Sequence, residues 1–476
     1  MSGRKLVTMS SVLVWFHNDL RLGDNPALVK AIESGKPVIP LFTWDETDVD
    51  LHTGGAAMWW LHQSLNRFSE RIEELGNKLI LRKGDPKEII DEIIDKHNVS
   101  TIYLNRRFEP QIIERDEKIL NNIDYVMTNG NLLFEPENIR TLQDKQYTVF
   151  TPFWKNCNAT QDEPHEPYAT PTKIPAPEKL PDSLDLDDLG LMPEINWYTE
   201  MEKEWTPGEE EAIKMLRTFL KTEGSKYGRQ RNIPGIRGTS RLSPYLRFGE
   251  ISPQTIWHES KPYSDKGVDH FVREVGWREF SYHLMVNFPF LADKPLRSDF
   301  EKFPWNNNEE HFERWCKGMT GYPIVDAGMR ELWATGWMHN RVRMIVASFL
   351  VKHLLIDWKK GERWFFDTLV DGDFCSNNAG WQWTAGCGAD AAPYYRIFNP
   401  ILQGKKFDTG GRYVRKWVPE VADIPNANLH APWELSEGEL QSYGVTLGKT
   451  YPEPIVNHEF ARKRALETFD TIAPKK

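Results

Sequence analysis

Between Trp337 and Pro400 the chain reads WMHNRVRMIVASFLVKHLLIDW, DGDFCSNNAGWQW and DAAPYYRIFNP, crowding Asn, Arg, Asp and Trp where a helical core is ordinarily apolar. Polar groups at core-like positions are costly unless something satisfies them. With 19 Trp in 476 residues, the chain points to a large, aromatic-lined, polar-studded pocket among helices. Asn340, Arg341 and Met344 fall three and four apart and share one helix face, with Arg343 directed away from it, so one helix can serve two ligands or two sides of one. A second helix sets the Glu274 carboxyl beside the Trp277 ring, and Arg278 follows one turn after Glu274, a spacing that also suits a plain surface ion pair. GTSRLSPYL offers the hydroxyls of Thr239, Ser240 and Ser243 beside Arg241; such an element holds a diphosphate, or simply caps a helix. Asp371 and Asp373 stand two apart, but no His or further carboxylate follows at ligand spacing, so no metal is expected.

Two domains must position these groups, each large enough for its own core. Residues 9–135 alternate β-branched runs (Val12–Phe16, Val38–Phe42, Lys78–Arg82, Thr101–Leu104, Tyr125–Met127) with amphipathic stretches (Asn25–Ser34, Ala57–Leu75, Lys87–His97, Gln111–Asn121). That is the pattern of an α/β domain on a parallel sheet. The first strand leads into HNDLRLGDNPAL, without G-x-G-x-x-G, so the domain is Rossmann-like but lacks the dinucleotide fingerprint. Residues 136–207 turn rich in Pro and acid and read as a connector that wraps or spans. From 208 to 476 helical periods dominate, as in EEEAIKMLRTFL, VDHFVREVGWREFSYHLMV, YPIVDAGMRELWATG and HNRVRMIVASFLVKHLLIDW, giving an all-α second domain.

A formal net charge of −10 argues against nucleic acid coating the whole surface, since polyanion affinity comes from neutralised phosphates. Locally the balance reverses. Lys226, Arg229, Arg231, Arg237, Arg241 and Arg247 succeed one another with no acid between them, and Arg396, Lys405, Lys406, Arg412, Arg415 and Lys416 are opposed only by Asp408. A basic face on an acidic protein suits a selective anion binder; the plainer reading is solvated surface charge. Cys157, Cys316, Cys375 and Cys387 show neither C-x-x-C nor zinc spacing and suit free thiols in a reducing compartment. The N-terminal apolar stretch breaks at His17 and Asn18 and no run of 18 apolar residues occurs, so a cytoplasmic protein without membrane contact is expected.

GTSRLSPYLRFGE, WREFSYHLM, CKGMTGYPIVDAGMR, WMHNRVRM, DGDFCSNNAGWQW and RIFNP, in this order, resemble the photolyase and cryptochrome flavoproteins, and DLRLGDNPAL is similar to that family's N-terminal domain. The likeness runs from Val12 to Glu434. HNRVRM resembles the branch that repairs cyclobutane pyrimidine dimers, because six-four photoproduct enzymes carry histidine where this chain has Met344. EVGWREFSYHL and TAGCGADAAPYYRIFNP look most like class III dimer photolyases, with class I as the alternative.

The resemblance implies a deoxyribodipyrimidine photolyase, a monomeric lyase in which light-excited FAD, active as FADH−, lends an electron to a flipped dimer in single- or double-stranded UV-damaged DNA, with no net redox change. Tyr227, Thr239, Ser240, Arg241, Leu242 and Ser243 would hold the FAD phosphates and ribityl chain, and Arg278, Arg343, Asp371 and Asp373 its two ring systems. Asn377 would face flavin N5; an amide there bonds without readily donating a proton, whereas the Asp of plant cryptochromes can protonate the flavin, so Asn favours repair over signalling. Glu274, Trp277, Asn340, Arg341, Met344 and Trp383 would form the lesion pocket, two rings and a thioether cradling saturated bases whose edges Glu274 and Asn340 address. Arg396, Gln403 and Lys405 would meet DNA, and Trp381, Trp358 and Trp305 match the family's electron-transfer triad. An antenna in the α/β domain is implied, 5,10-methenyltetrahydrofolate first, with a deazaflavin or second flavin as alternatives, and Asn105–Glu109 lies where α/β ligands often bind. The rival reading is a cryptochrome-type blue-light photosensor, opposed by Asn377, the lesion set and the short C-terminus. A light-independent flavin oxidoreductase lacks a nicotinamide site and leaves the tryptophans unexplained.

Overall fold

The computed structural model describes residues 10–46, 53–392 and 395–472. The first residue expected for the α/β domain, and Pro393 and Tyr394 of DAAPYYRIFNP, lie outside them. The β-branched runs form five parallel strands, β1 (Ser11–Phe16), β2 (Val38–Trp44), β3 (Ile80–Lys83), β4 (Val99–Asn105) and β5 (Tyr125–Thr128), in the order β3-β2-β1-β4-β5. Helices α1 (Pro26–Glu33), α2 (Gly55–Glu74), α3 (Pro86–His97) and α4 (Pro110–Leu120) connect them. Proline opens α1, α3 and α4, where its missing N–H costs nothing, and Asn25 and Asp85 cap α1 and α3.

Both faces of the sheet are covered, which is why the central strands are apolar throughout. Leu13, Trp15, Ile39 and Leu41 pack on one side with Ile89, Ile90, Ile93 and Ile119. Val12, Val14 and Phe16 pack on the other with Trp59, Trp60 and Phe68, and this core runs unbroken into the helical region through Phe219, Tyr245, Phe248, Phe271 and Phe280. A separate core holds Trp315, Ile324, Val342, Phe349, Trp358 and Trp381.

The helices that carry the site are α5 (Phe150–Thr160), α6 (Glu209–Thr222), α7 (Ser243–Arg247), α8 (Lys266–Asn287), α9 (Pro323–Thr335), α10 (Asn340–Ser348), α11 (Trp358–Thr368), α12 (Phe374–Ala385) and α13 (Pro400–Phe407). The run HNRVRMIVASFLVKHLLIDW is not one helix. After α10 a π-helical turn spans Phe349–His353, and Leu355 takes a φ of +55° before Trp358 opens α11. The connector wraps the α/β domain: Val38 N–H donates to the Pro175 carbonyl at 2.7 Å, Ile174 to Leu75 at 3.0 Å and Leu184 to Leu81 at 2.9 Å.

The DLRLGDN stretch joins the two domains. Buried Arg21 donates to the carbonyls of Asp24, Gly130 and Gly249, and Gly249, at φ +63°, must be glycine because a Cβ would fall 2.1 Å from the Asn18 carbonyl oxygen. Beside it Glu250 is fully buried, accepting from Trp60 Nε1 at 3.1 Å and from the Ser64 hydroxyl. Burial, against those two hydrogen bonds, pushes its carboxyl up to about 8. A raised carboxyl pKa gives stability that is full below the unfolded value of about 4.3 and is lost as pH rises through the folded value. Glu250→Gln, which cannot ionise, should therefore melt like the parent below about pH 4 and at a progressively higher temperature than the parent as the pH rises to about 8, where the parent's loss is complete. Coincident melting curves at alkaline pH would refute this.

Candidate functional site

Between its apolar cores the helical domain leaves a cleft with about 1120 Å3 of empty space, counting the open mouth. Tyr227, Thr239, Ser240, Arg241, Leu242 and Ser243 line it from the segment that enters α7, Glu274 and Arg278 from α8, Asn340 and Arg343 from α10, and Asp371 and Asp373 from the turn before α12. Sequence-distant groups expected to serve one ligand thus share one space.

Its charges are held in place by specific bonds. Arg343 grips Asp371 through Nη2 at 3.0 and 2.8 Å and donates Nε to the Met338 carbonyl at 2.7 Å; the Asp371 side chain is 3% exposed. Asp373 caps α12 by accepting from Ser376 N–H at 2.7 Å, and its other oxygen accepts from the Tyr282 hydroxyl at 2.5 Å. Arg278 reaches back to the Asn131 carbonyl of the α/β domain at 2.7 Å; burial opposes its charge, but Tyr282, Asp373 and Glu279 keep its pKa above the ordinary value. His339 caps α10, its Nδ1 accepting from Arg341 N–H at 3.2 Å. Burial first, then Arg341, Arg343 and Arg231, lower its pKa to about 3, so the imidazole is neutral.

Arg241 adopts φ +57°, a conformation uncommon outside glycine and a mark of functional sites. Its guanidinium lies over Trp205 at 4.1 Å and Trp337 at 4.8 Å and pairs with Glu204. Its Nε is buried without a partner. An orphaned guanidinium N–H beside three hydroxyls is a donor set that fits a diphosphate.

The expected site residues are not all on these walls. Arg343 does not turn away from the Asn340 face: these two, three residues apart, border the cleft together, whereas Arg341 and Met344 are not among its lining residues. Arg278 does not pair with Glu274, which is bound by Arg231. Asn377 is not among the lining residues, though its neighbour Ser376 is; its Nδ2 donates to the Glu362 carbonyl at 3.0 Å. Trp277 lies against Phe150, and Trp383 donates Nε1 to the Asp390 carbonyl at 3.0 Å; both stand outside the walls that carry the hydroxyls and Arg343, so their expected lesion role is separate from that lining. Arg341 donates to Asn232 Oδ1 at 3.1 and 2.7 Å, and burial, Arg231 and Arg396 depress its pKa, so three cations gather there.

Trp381 and Trp358 are buried on neighbouring helices, and a Cβ on Gly361, in the first turn after Trp358, would strike the Trp381 ring at 2.1 Å. Half-buried Trp305 is tied to the same place, since Asn306 N–H donates to the Leu355 carbonyl at 2.7 Å and Asp357 N–H to Asn307 Oδ1 at 2.9 Å.

The first basic stretch is largely not a free face. Arg231 pairs with Glu274, Arg237 and Arg241 with Glu204, and Arg247 is buried with Nε on the Gly372 carbonyl at 2.9 Å. The second remains open: Arg396, Lys405, Lys406, Arg412 and Lys416 are exposed, with Gln403 half-buried on α13, while Asp408 is buried and caps Tyr413 and Val414 N–H. The polar groups of NRRFE are used internally, Asn105 on Asp19 and Asn25, Arg106 on Glu135 and Glu137, and Arg107 on Glu109. Sequence reasoning had not given cleft roles to Arg231, Trp337, Met338 or Ser376; Trp337, opening WMHNRVRM, carried a usable signal. Among the described residues no group of three His, Cys, Asp or Glu could hold a metal, no helix is long and apolar enough to cross a membrane, and the four cysteines are buried and free.

Two family models match, "DNA photolyase" over residues 12–177 and "FAD binding domain of DNA photolyase" over residues 271–471. A deoxyribodipyrimidine photo-lyase of Agrobacterium fabrum is 46% identical over 471 residues, 97% of this chain and 98% of that protein. Cryptochrome-1 of Arabidopsis thaliana is 35% identical over 97% of this chain and 70% of its own length. A crystal structure of a bacterial class III photolyase from Agrobacterium tumefaciens superposes with a TM-score of 0.95 at 45% identity, covering 99% of each chain.

Proposed function

The chain belongs to the photolyase and cryptochrome family of flavoproteins, and on that footing we propose that it is a deoxyribodipyrimidine photo-lyase of class III that splits cyclobutane pyrimidine dimers in UV-damaged DNA. The observation that carries the reading is the cleft, whose walls bring together the hydroxyls of Thr239, Ser240 and Ser243, the guanidinium of Arg241, the Arg343–Asp371 clamp, Glu274 and Asn340. Held by these residues in reduced form, FAD would supply the light-excited electron that splits the dimer, with no net redox change. The protein's part is to place, orient and shield.

In this reading the hydroxyl segment and Arg241 hold the diphosphate, and Arg343, fixed by Asp371, presents its remaining face to a ring system. Asn377 has its amide nitrogen committed to Glu362, which leaves a carbonyl oxygen that accepts and cannot donate. That atom would favour a protonated N5 without acting as an acid, which suits repair. Arg231, Arg341 and Arg396 set a positive field for the extruded dimer and its phosphates, and exposed Lys405 extends it along the backbone path. Flipping the dimer costs a few kcal/mol, least for bases already poorly stacked. An antenna, 5,10-methenyltetrahydrofolate before a deazaflavin or second flavin, belongs to this proposal. A recess lined by Asp45, Pro86, Lys87, Gln111 and Arg115 opens at the carboxyl ends of β2 and β3, the side where α/β sheets bind ligands.

Purified, photoreduced protein incubated with a dimer-containing oligonucleotide should remove dimers in light and not in darkness. Tight binding without loss of dimers would instead make it a photosensor, the reading its likeness to Cryptochrome-1 keeps in view. Glu274→Ala removes a group on the cleft wall and leaves Arg231 unpaired. We expect it to retain FAD while dimer affinity falls about tenfold to a hundredfold, as for a lost charge-assisted bond of ~1.5–3 kcal/mol. Unchanged dimer affinity would remove Glu274 from the lesion site.

A further inference from the structure

The two tryptophans assigned to the lesion site stand on different helices, Trp277 on α8 and Trp383 on α12, and the same residue braces both. Asp390, in the turn after α12, offers its carbonyl to Trp383 Nε1 at 3.0 Å. Its own N–H donates to the Thr148 carbonyl at 2.9 Å, and its carboxylate faces Phe150 N–H, so backbone and side chain both address the start of α5. Phe150 is fully buried and its ring stacks on Trp277, centroids 3.8 Å apart and planes 13° from parallel. The Arg273 guanidinium also lies over the Phe150 ring, at 5.0 Å, and donates to the Thr151 hydroxyl at 3.2 Å. One turn thus sets the position of one indole directly and of the other through a stacked ring.

Asp390 holds φ at +52° to do this, a left-handed conformation that Asp tolerates better than most residues but that still costs energy. Strain kept at a residue whose N–H and carbonyl are both bonded to other elements belongs to a place whose geometry is over-determined. Flat rings that grip a stacked pair of bases must keep their separation to a fraction of an ångström, which requires support behind them.

We propose that Asp390 is the positioning residue of the lesion pocket, fixing the spacing between Trp277 and Trp383 and so the preference for a dimer over ordinary bases. This rests on the photolyase reading above. It also gives the connector, through Thr148 and Phe150, a part in substrate selection.

Asp390→Gly keeps the left-handed backbone and deletes the carboxylate, while Asp390→Asn keeps both the conformation and an acceptor for Phe150 N–H. Each is compared with the parent holoprotein in binding, in the dark, a dimer-containing and an undamaged oligonucleotide, with flavin spectrum and photoreduction rate as controls. Asp390→Gly should bind the dimer about tenfold more weakly, the scale of one charge-assisted bond, with undamaged DNA, spectrum and photoreduction unaltered. Asp390→Asn should stay near the parent. Parent-like dimer binding by Asp390→Gly, an equal loss on both oligonucleotides, or an Asn variant as impaired as Gly would overturn the proposal. Should Asp390→Gly fail to fold, Phe150→Leu removes the stack alone and must show the same selective loss, or the proposal is wrong. A parent protein that repairs nothing refutes the photolyase reading itself; a repairing parent with indifferent variants refutes only this inference.

Discussion

Arg343→Met should yield protein that purifies with only a small fraction of the parent's flavin absorbance. The Arg343 guanidinium is the bidentate partner of Asp371, whose carboxylate is 3% exposed. Removing one member of such a pair leaves a buried charge unmatched and costs about 3–5 kcal/mol. Part of that loss falls on the fold and part on the ligand, and a second variant divides them. Adding Asp371→Leu to Arg343→Met removes the stranded charge, so the melting temperature should largely recover while the flavin does not. A double variant that regains its flavin would show that the pair serves stability alone. A single variant with full flavin absorbance would remove the pair from the cofactor site.

Trp381→Phe should photoreduce its flavin at least tenfold more slowly, yet repair dimers normally once the flavin has been reduced chemically. The packing explains both halves. Trp381 is buried against Gly361 in the first turn after Trp358, so Phe fills most of the same space and leaves the cleft walls in place. A benzene ring is much harder to oxidise than indole, and only about 1.4 kcal/mol on a barrier already makes a tenfold difference in rate. Photoreduction at the parent rate would mean that electrons take another path. Slow repair by the chemically reduced variant would mean that the substitution disturbs the lesion site.

What could be read from the chain followed local chemistry. Runs such as Val12–Phe16 and Val38–Phe42 became strands because a parallel sheet covered on both faces requires apolar side chains throughout, and Asn25 and Asp85 with their prolines marked helix starts. The hydroxyl cluster at Thr239–Ser243 was legible for the same reason. Direction along α10 was legible as well, and misread. At about 100° per residue, Asn340 and Arg343 stand only about 60° apart on this helix while Arg341 stands about 100° from Asn340, so the period favoured Arg343 as the neighbour and the grouping with Arg341 was the wrong choice. Partners far along the chain were out of reach. Glu274 meets Arg231 rather than the Arg278 four residues away, and Arg278 is anchored by a backbone carbonyl at Asn131, an acceptor every residue carries and no sequence advertises. Phe150, inside a stretch that reads as a broken connector, ended against Trp277.

The cleft lies where two oily interiors stop short of each other, with Tyr227, Leu242 and Phe271 belonging to one and Met338 to the other. Whatever fills it is a wall shared by both halves of the helical domain. A ligand that binds only the folded protein adds about 2.7 kcal/mol of stability at a hundred times its dissociation constant. FAD would then be a keystone as well as a reagent: protein stripped of it should melt at a lower temperature than the holoprotein.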